Sequence, residues 1–269
     1  MTERATSFGA AAATYEAGRP TYPEPAVAWL LGDPSPDAPP LRVADVGAGT
    51  GKLTRGIVAT GAEVVAVDPD PAMLAVLREQ VPGVPTFRGT AEALPLPDGS
   101  VDAVVMGQAW HWVEPGAASR EVARVLRPGG VLGLIWNVRD ESEPWVRRLT
   151  EIMHGSRAEQ MVAAGAPPVA PPLSSRLDRA EWRWTQTVTR ADLLAMARSR
   201  SYLITAGDEE RARIERGLAD LLDEVFRAAP GFDTETRTAS GADTVELPYV
   251  TTAFRAHVSE EPTDGVPPA

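Results

Sequence analysis

One stretch decides the fold of this chain: Leu41-Arg-Val-Ala-Asp45-Val-Gly47-Ala48-Gly49-Thr-Gly51. Its apolar part, Val43 to Val46, predicts a buried strand, and Lys52 to Thr60 predicts the helix that follows. Glycine at alternate positions lets the backbone turn sharply and approach a ligand closely, because no Cβ intervenes. The next strand, Glu63 to Val67, ends in Asp68. An acidic residue about 20 residues after such a turn is placed to bind the ribose hydroxyls of a nucleoside.

The spacing of the glycines and the position of Asp45 narrow the choice of nucleoside. Dinucleotide sites use G-x-G-x-x-G and place a pyrophosphate on a helix N-terminus. Here the glycines alternate, and a carboxylate at Asp45 repels a pyrophosphate and suits a cation. A P-loop needs glycine where Val46 stands and Ser or Thr where Leu53 stands. S-adenosylmethionine (SAM), with an ammonium, a sulfonium and no phosphate, fits; the alternative is a glycine turn that binds nothing.

Further motifs follow in order as far as residue 138. They are Val67-Asp-Pro-Asp-Pro-Ala-Met73-Leu, Gly89-Thr-Ala-Glu-Ala-Leu-Pro-Leu-Pro-Asp-Gly-Ser-Val-Asp102, Gln108-Ala-Trp-His-Trp112 and Glu121-Val-Ala-Arg-Val-Leu-Arg-Pro-Gly-Gly130. On these residues the chain resembles the class I SAM-dependent methyltransferases, in the small-molecule group that includes ubiquinone-biosynthesis and trans-aconitate methyltransferases.

The resemblance implies a Rossmann-like, mostly parallel seven-stranded sheet with helices on both faces, an antiparallel last strand and a helical insertion between the last two strands. Alternating strand and helix patterns independently predict a parallel α/β sheet. The predicted strands lie near 42–46, 63–67, 84–88, 101–106 and 131–136, and the helices near 52–60, 71–80, 91–93 and 116–126. Arg127-Pro-Gly-Gly130 predicts a helix stop.

The segments outside this SAM-binding core, residues 41–138, predict three further parts. Residues 1–40 form an N-terminal helical cap segment. Residues 139–258 complete the sheet, with a helix over 143–164, a strand over 179–189, helices over 190–200 and 209–228, and a strand over 244–258. The insertion, about 190–240, is interpreted as a lid at the ligand edge, with a packing appendage as the alternative. The tail 259–269 is predicted to be disordered.

The resemblance also assigns cofactor contacts. It implies that Asp68 binds both ribose hydroxyls and that Arg19 pairs with the cofactor carboxylate, a surface turn being the alternative for Arg19. The methionine portion is expected beside Asp45, Gly47, Ala48, Gly49, Gly51, Gln108 and Ala109. The adenine is expected beside Pro69, Met73 and the N–H of Ala91, with Thr90 or Glu92 meeting its amine; ordinary helix core is the alternative for Met73.

Methyl transfer asks a protein mainly to align nucleophile, methyl and sulfur and to exclude water. His111 is the candidate base or substrate-orienting group, since an unperturbed histidine has a pKa of about 6.5; a structural histidine is the alternative. The resemblance of His111-Trp112 to juvenile hormone acid methyltransferases indicates an oxygen acceptor, a carboxylate or hydroxyl. The candidate substrate contacts are Tyr15, Tyr22, Trp112 and Tyr202.

Composition sets limits on partners. The chain has 269 residues, 26 basic and 37 acidic, and a formal charge of −11, which argues against nucleic acid or an anionic membrane as the main partner. It has no cysteine and three histidines, none of which lies four residues from another, so neither a disulfide nor a structural metal site is expected. We expect a cytoplasmic, bacterial monomer or homodimer that methylates a small-molecule acceptor. The alternatives are an inactive SAM-binding regulatory or scaffold protein, or a methyltransferase directed at carbon or nitrogen.

Overall fold

The computed structural model describes residues 20–32, 38–153, 157–173, 176–198, 207–228, 232–233, 238–239 and 244–258. The predicted site residues Tyr15, Arg19 and Tyr202 lie outside this set, as do the tail 259–269 and part of the predicted lid. The helices are α1 (Glu24–Leu31), α2 (Lys52–Ala59), α3 (Pro71–Gln80), α4 (Pro115–Val125), α5 (Pro144–Met153), α6 (Arg157–Ala163), α7 (Arg190–Arg198) and α8 (Asp208–Ala228). None of these described helices is long and apolar enough to span a bilayer.

The strands build a seven-stranded sheet and a separate two-stranded ribbon. They are β1 (Arg42–Val46), β2 (Glu63–Asp68), β3 (Thr86–Arg88), β4 (Val101–Gly107), β5 (Leu126–Arg139), β6 (Asp178–Thr189), β7 (Phe232–Asp233), β8 (Thr238–Ala239) and β9 (Thr244–His257). The large sheet has the order β3-β2-β1-β4-β5-β9-β6, and β9 runs antiparallel to both of its neighbours. The predicted fold class is therefore confirmed. The order reverses between β1 and β4, which is where open α/β sheets bind ligands.

Helices cover both faces of the sheet because side chains alternate along each strand. On one face Val43 packs with α1 and α2, and on the other Ala44 and Val46 pack with α4. Asp45 shares the face of Val43, so its carboxylate points toward α2, where Thr54 donates to it. The apolar strand thus carries one carboxylate to the switch point of the sheet.

The insertion between β6 and β9 builds a core of its own. Residues 249–257 of β9 pair with β5, whereas residues 244–248 pair with β6 alone. The β6–β9 hairpin therefore projects beyond Arg139, the last residue of β5. Helices α5, α7 and α8 pack on this projection around Val188, Leu247 and Tyr249. The helical insertion is thereby held past the carboxyl edge of the parallel strands.

Some predicted elements were wrong. Residues 90–93 form a turn closed by the Ala93 N–H, which donates to the Thr90 carbonyl at 3.1 Å, and no helix forms because prolines follow at 95 and 97. Of the predicted helix over 143–164, the structure describes α5 over Pro144–Met153 and α6 over Arg157–Ala163, and the residues between them lie outside the described part of the chain. Helix α4 ends at Val125, directly before the predicted stop Arg127-Pro-Gly-Gly130, but β5 already starts at Leu126 and not near residue 131 as predicted.

Candidate active site

The glycine turn after β1 needs glycine at each of its three positions. Gly47, Gly49 and Gly51 have φ of +70°, +56° and +93°, the left-handed region that glycine adopts without strain. A Cβ on Gly47 would lie 2.6 Å from the Cβ of Ala109, and one on Gly51 would lie 2.9 Å from Leu77. A Cβ on Gly49 would meet no atom within 4 Å. The turn therefore packs tightly at both ends and leaves its middle open to a ligand.

Asp68 at the end of β2 joins two loops. Its Oδ2 accepts from the Gly49 N–H at 2.9 Å and its Oδ1 accepts from the Asp70 N–H at 2.8 Å. The residue is 7% exposed, and burial raises its pKa against the opposing effect of these hydrogen bonds. Each carboxylate oxygen keeps a lone pair for a further donor.

Asp45 is fully buried and only half satisfied. Thr54 Oγ1 donates to its Oδ2 at 2.6 Å, and its Oδ1 has no hydrogen-bond partner among the described residues. Burial raises the pKa of Asp45 to about 7, the Thr54 hydrogen bond opposes the shift and the charge of Asp68 adds to it. A buried carboxylate in this state is stabilised by a cation, which restores its ionised form.

A small cavity of about 50 Å³ opens beside Asp45 at the switch point. Predicted residues that line it are Asp45, Gly47, Ala48, Gly49, Gln108 and Tyr22. Lining residues that sequence reasoning missed are Pro20, Thr50, Lys52, Leu53, Gly107 and Asn137. Gly51 lies behind the turn against α3. Asn137 carried a usable signal, since it is a polar residue at the end of an otherwise apolar buried run.

Asn137 ties the cavity to distant parts of the chain. Its Nδ2 donates to the carbonyl of Thr21 at 3.0 Å, and its Oδ1 accepts from Thr251 Oγ1 at 2.6 Å. Trp184 Nε1 donates to the same hydroxyl at 2.8 Å. Gln108, which has a φ of +56°, donates from Nε2 to the Asn137 carbonyl at 2.8 Å. The chain of hydrogen bonds connects β6 and β9 to the segment that closes the cavity.

The residues predicted for the adenine lie beyond Asp68. Met73 and Ala91 are buried, at 5% and 4% exposure, and Pro69 is half-buried. The turn at Thr90 is attached to β2, because the Gly89 N–H donates to the Asp68 carbonyl at 3.3 Å. Glu92 accepts through Oε1 from the Glu114 N–H at 3.0 Å, so part of its carboxylate is already engaged.

His111 and Trp112 lie in a 3-10 turn, Trp110–Trp112, directly after β4. Trp110 is buried and donates from Nε1 to the Pro168 carbonyl at 2.8 Å, which fixes the turn. The His111 ring lies 4.9 Å from the Trp112 ring, which is 40% exposed. His111 is half-buried and lies outside the lining of the cavity. The pair therefore faces the neighbouring part of the ligand edge.

Known proteins with the same features decide the family. A family model described as a methyltransferase domain matches residues 44–134. An uncharacterized methyltransferase of Mycobacterium bovis is 44% identical over 252 residues, covering 93% of this chain and 95% of that protein. This chain belongs to the class I SAM-dependent methyltransferases. A methyltransferase-like protein of Schizosaccharomyces pombe is 33% identical to this methyltransferase, covering 92% of this chain and 94% of its own.

A solved structure supports the fold of the methyltransferase. A protein from Anaeromyxobacter dehalogenans, assigned as a type II methyltransferase, superposes with a TM-score of 0.56 at 24% identity, covering 90% of this chain and 99% of that one. The cofactor is SAM, and the site fits its charge. Asp45, Asp68 and Asp70 are all buried, and within the described part of the chain none of them has a cationic side chain as an ion-pair partner.

Proposed function

We propose that this methyltransferase transfers the methyl group to an oxygen of a small-molecule acceptor, a carboxylate or a hydroxyl. The observation that carries this proposal is the position of His111 beside exposed Trp112, in the turn directly after β4 and three residues from Gln108, which lines the cavity. An imidazole there is placed to accept a hydroxyl proton or to donate a hydrogen bond to a carboxylate. A titratable group beside an aromatic surface suits an acceptor with an apolar body and an acidic oxygen.

A relative supports oxygen as the acceptor atom. A malonyl-[acyl-carrier protein] O-methyltransferase of Methylococcus capsulatus is 42% identical over 132 residues, which cover 47% of this chain and 48% of that protein. The shared part is of the same order as the cofactor-binding core. The likeness therefore supports an O-methyltransferase without specifying the acceptor.

The cofactor contacts in this proposal follow the geometry of the two loops. Asp45 Oδ1 accepts from the ammonium group, and the open middle of the turn at Gly49 accommodates the methionine portion. Gln108 and Ala109 bound the same space on the β4 side. Asp68 uses its remaining lone pairs for the ribose hydroxyls.

The adenine is held in this proposal by apolar contacts and one polar group. Pro69 and Met73 form its walls, and Ala91 supplies a backbone N–H. Thr90 is favoured over Glu92 for the adenine amine, because the Glu92 carboxylate already accepts from the Glu114 N–H.

The bound cofactor supplies a methyl group that its sulfonium makes electrophilic. The protein aligns the reacting groups and excludes water, and it forms no covalent bond with the methyl group. Tyr22 packs against Gly107, where a Cβ would lie 2.7 Å from the Tyr22 hydroxyl, and so closes the cavity from the N-terminal side. His111 holds the proton of a hydroxyl acceptor on one ring nitrogen, whereas a carboxylate acceptor reacts without proton transfer.

In this proposal the helical insertion between β6 and β9 covers the bound acceptor. Helices α7 and α8 pack on the part of the β6–β9 hairpin that projects past the end of β5. Hydrogen exchange of the full chain with the demethylated product, S-adenosylhomocysteine (SAH), tests this. Protection is expected to rise at residues 20–22 and in α7 as well as in the glycine turn. A response confined to the glycine turn identifies the insertion as a packing appendage.

A labelled-methyl assay tests the acceptor atom. The protein is incubated with methyl-labelled SAM and a fractionated extract of small acids and phenols, and the products are treated with mild base. A carboxylate acceptor gives a methyl ester that releases volatile label as methanol, and a hydroxyl acceptor gives a base-stable methyl ether that mass spectrometry identifies. Asp68→Asn is the control that removes cofactor-dependent labelling. Label found on nitrogen or carbon contradicts the proposal.

His111→Asn separates a base from a structural histidine. As a base for a hydroxyl acceptor, His111 contributes about 10²–10⁴ in rate, so kcat falls while SAH affinity stays unchanged. As an orienting donor for a carboxylate, it changes KM more than kcat. An unchanged kcat and KM in a folded variant assigns His111 to the scaffold.

A further inference from the structure

Arg139 has an unmet donor in a fully buried position. It is the last residue of β5, and its side chain is 2% exposed, against 22% for Arg255 and 33% for Arg124. Its Nη2 donates to Glu159 Oε1 at 2.8 Å and to Thr150 Oγ1 at 3.1 Å, and its Nε is 3.3 Å from the same hydroxyl. Its Nη1 has no hydrogen-bond partner among the residues that the structure describes. The Nε and Nη2 side of the guanidinium is therefore held in place, and Nη1 can still donate to a further acceptor.

An unpartnered donor of this kind needs an acceptor. A buried charged donor without a partner is destabilising, and the loss exceeds that for a neutral group. The planar guanidinium has five donors and matches a carboxylate better than any other common anion except phosphate. Glu159 holds the plane of the guanidinium in place and balances its charge when no further anion is bound.

The position of Arg139 relates it to the acceptor side of the site. It follows Asn137, which lines the cofactor cavity, by two residues, so both Cβ atoms leave the same face of β5 about 7 Å apart. Helix α6, which supplies Glu159, packs against both β5 and the 3-10 turn that carries His111 and Trp112. Arg139 thus lies two residues beyond a lining residue of the cofactor cavity, at the end of β5 past which the β6–β9 hairpin projects.

We propose that Arg139 binds a carboxylate of the methyl acceptor through Nη1. The acceptor class is then a carboxylic acid, which rests on the proposed function and narrows it from any oxygen acceptor to an acidic one. Thr150 and Glu159 are positioning residues that keep Nη1 directed to the acceptor. The carboxylate is already ionised at neutral pH, so binding requires no proton transfer.

Calorimetry with a small dicarboxylate tests the site independently of turnover. Malonate is titrated into the full chain saturated with SAH, with malonamide as the uncharged probe. Wild type is expected to bind malonate and not malonamide, Arg139→Met to bind malonate at least about tenfold more weakly, and Arg139→Lys to fall between them. Arg183→Met, at a surface arginine that pairs with Asp140 and is 69% exposed, is the matched control and leaves malonate affinity unchanged.

If Arg139→Met does not fold, the variant Glu159→Gln provides a second test of the same site. It removes the negative charge 2.8 Å from the guanidinium, so malonate affinity is expected to rise several-fold, whereas a purely structural ion pair predicts no gain. Equal malonate affinity in Arg139→Met and wild type overturns the proposal, as does no malonate binding by wild type. The two proposals can also fail separately. If malonate binding depends on Arg139 but the labelled-methyl assay finds the label on nitrogen or carbon, the carboxylate site is supported and methyl transfer to oxygen is contradicted.

Discussion

The two halves of the ligand edge are built in different ways. At β1 and β2 the contacts are local: Asp45 and its Thr54 partner are 9 residues apart, and Gly49 and Asp68 are 19 apart. At β5 and β9 they are distant: Asn137 bonds to Thr251 across 114 residues and to Thr21 across 116. The cofactor half is thus made by one short stretch of backbone, and the acceptor half exists only after the sheet and the insertion have closed.

In the cofactor half, the buried carboxylate of Asp45 is expected to destabilise the cofactor-free protein, and binding of the cationic cofactor is expected to remove this cost. Because the pKa of Asp45 is raised from 3.8 to about 7, the folded chain holds the proton more tightly than the unfolded chain. The stability that this supplies is complete below about pH 4 and is lost as the pH rises through about 7. Asp45→Asn removes the pH-dependent loss, so the cofactor-free variant is expected to be more stable than wild type by up to about 4 kcal/mol at pH 8 and about equal at pH 4.

Chemical denaturation of the cofactor-free protein at several pH values measures this gain. Asp220→Asn, an exposed acid of α8, is the control and leaves the pH dependence as it is in wild type. The same Asp45→Asn variant is expected to lose SAM affinity. A variant that is less stable than wild type at pH 8 would show that the buried carboxylate supports the fold instead of the ligand.

The acceptor half is expected to respond to loss of a single distant contact. Thr251→Val removes the hydroxyl that joins Trp184 and Asn137, and it leaves the buried Asn137 Oδ1 and the half-buried Trp184 Nε1 without this partner. A buried unpaired atom costs about 1–3 kcal/mol and a half-buried one about 1 kcal/mol, so the free energy of unfolding falls by about 2–4 kcal/mol. Thr252→Val, the same change at a neighbour with one long contact of 3.3 Å to Glu181, is expected to cost less. Equal losses in thermal and urea unfolding would refute the role of the network.

The smallest expected effect separates contact from conformation in the glycine turn. Gly47→Ala places a Cβ against Ala109, whereas Gly61→Ala, at a φ of +87° with open space around it, adds only backbone strain. The difference between the two variants is expected to be about 1–3 kcal/mol in unfolding free energy, with weaker SAH binding in Gly47→Ala alone. Identical stability in the two variants would mean that Ala109 moves aside.

The same contrast explains what the sequence predicts and what it does not. The glycine turn and Asp68 follow from local patterns, because the contact that joins them lies within one strand–helix–strand unit. The seven-stranded sheet with an antiparallel last strand was implied by the family resemblance, since its pairings join distant parts of the chain. Asn137 and Arg139 are polar residues at the end of an apolar strand, but their partners lie on β9, on α6 and before α1, and no local pattern indicates those pairings. The turn at residues 90–93 was predicted as a short helix, although the prolines that follow at 95 and 97 disfavour one.

The most direct test of a divided site is the affinity for SAH of two variants, measured by calorimetry under the same conditions. Asp68→Asn removes an acceptor oxygen and the charge from the cofactor half, and Arg139→Met removes the guanidinium from the acceptor half. The division predicts that Asp68→Asn weakens SAH binding about a hundredfold or more, since two hydrogen bonds to a charged group are affected, and that Arg139→Met changes it less than about threefold. A loss of SAH affinity in Arg139→Met as large as that in Asp68→Asn would contradict it.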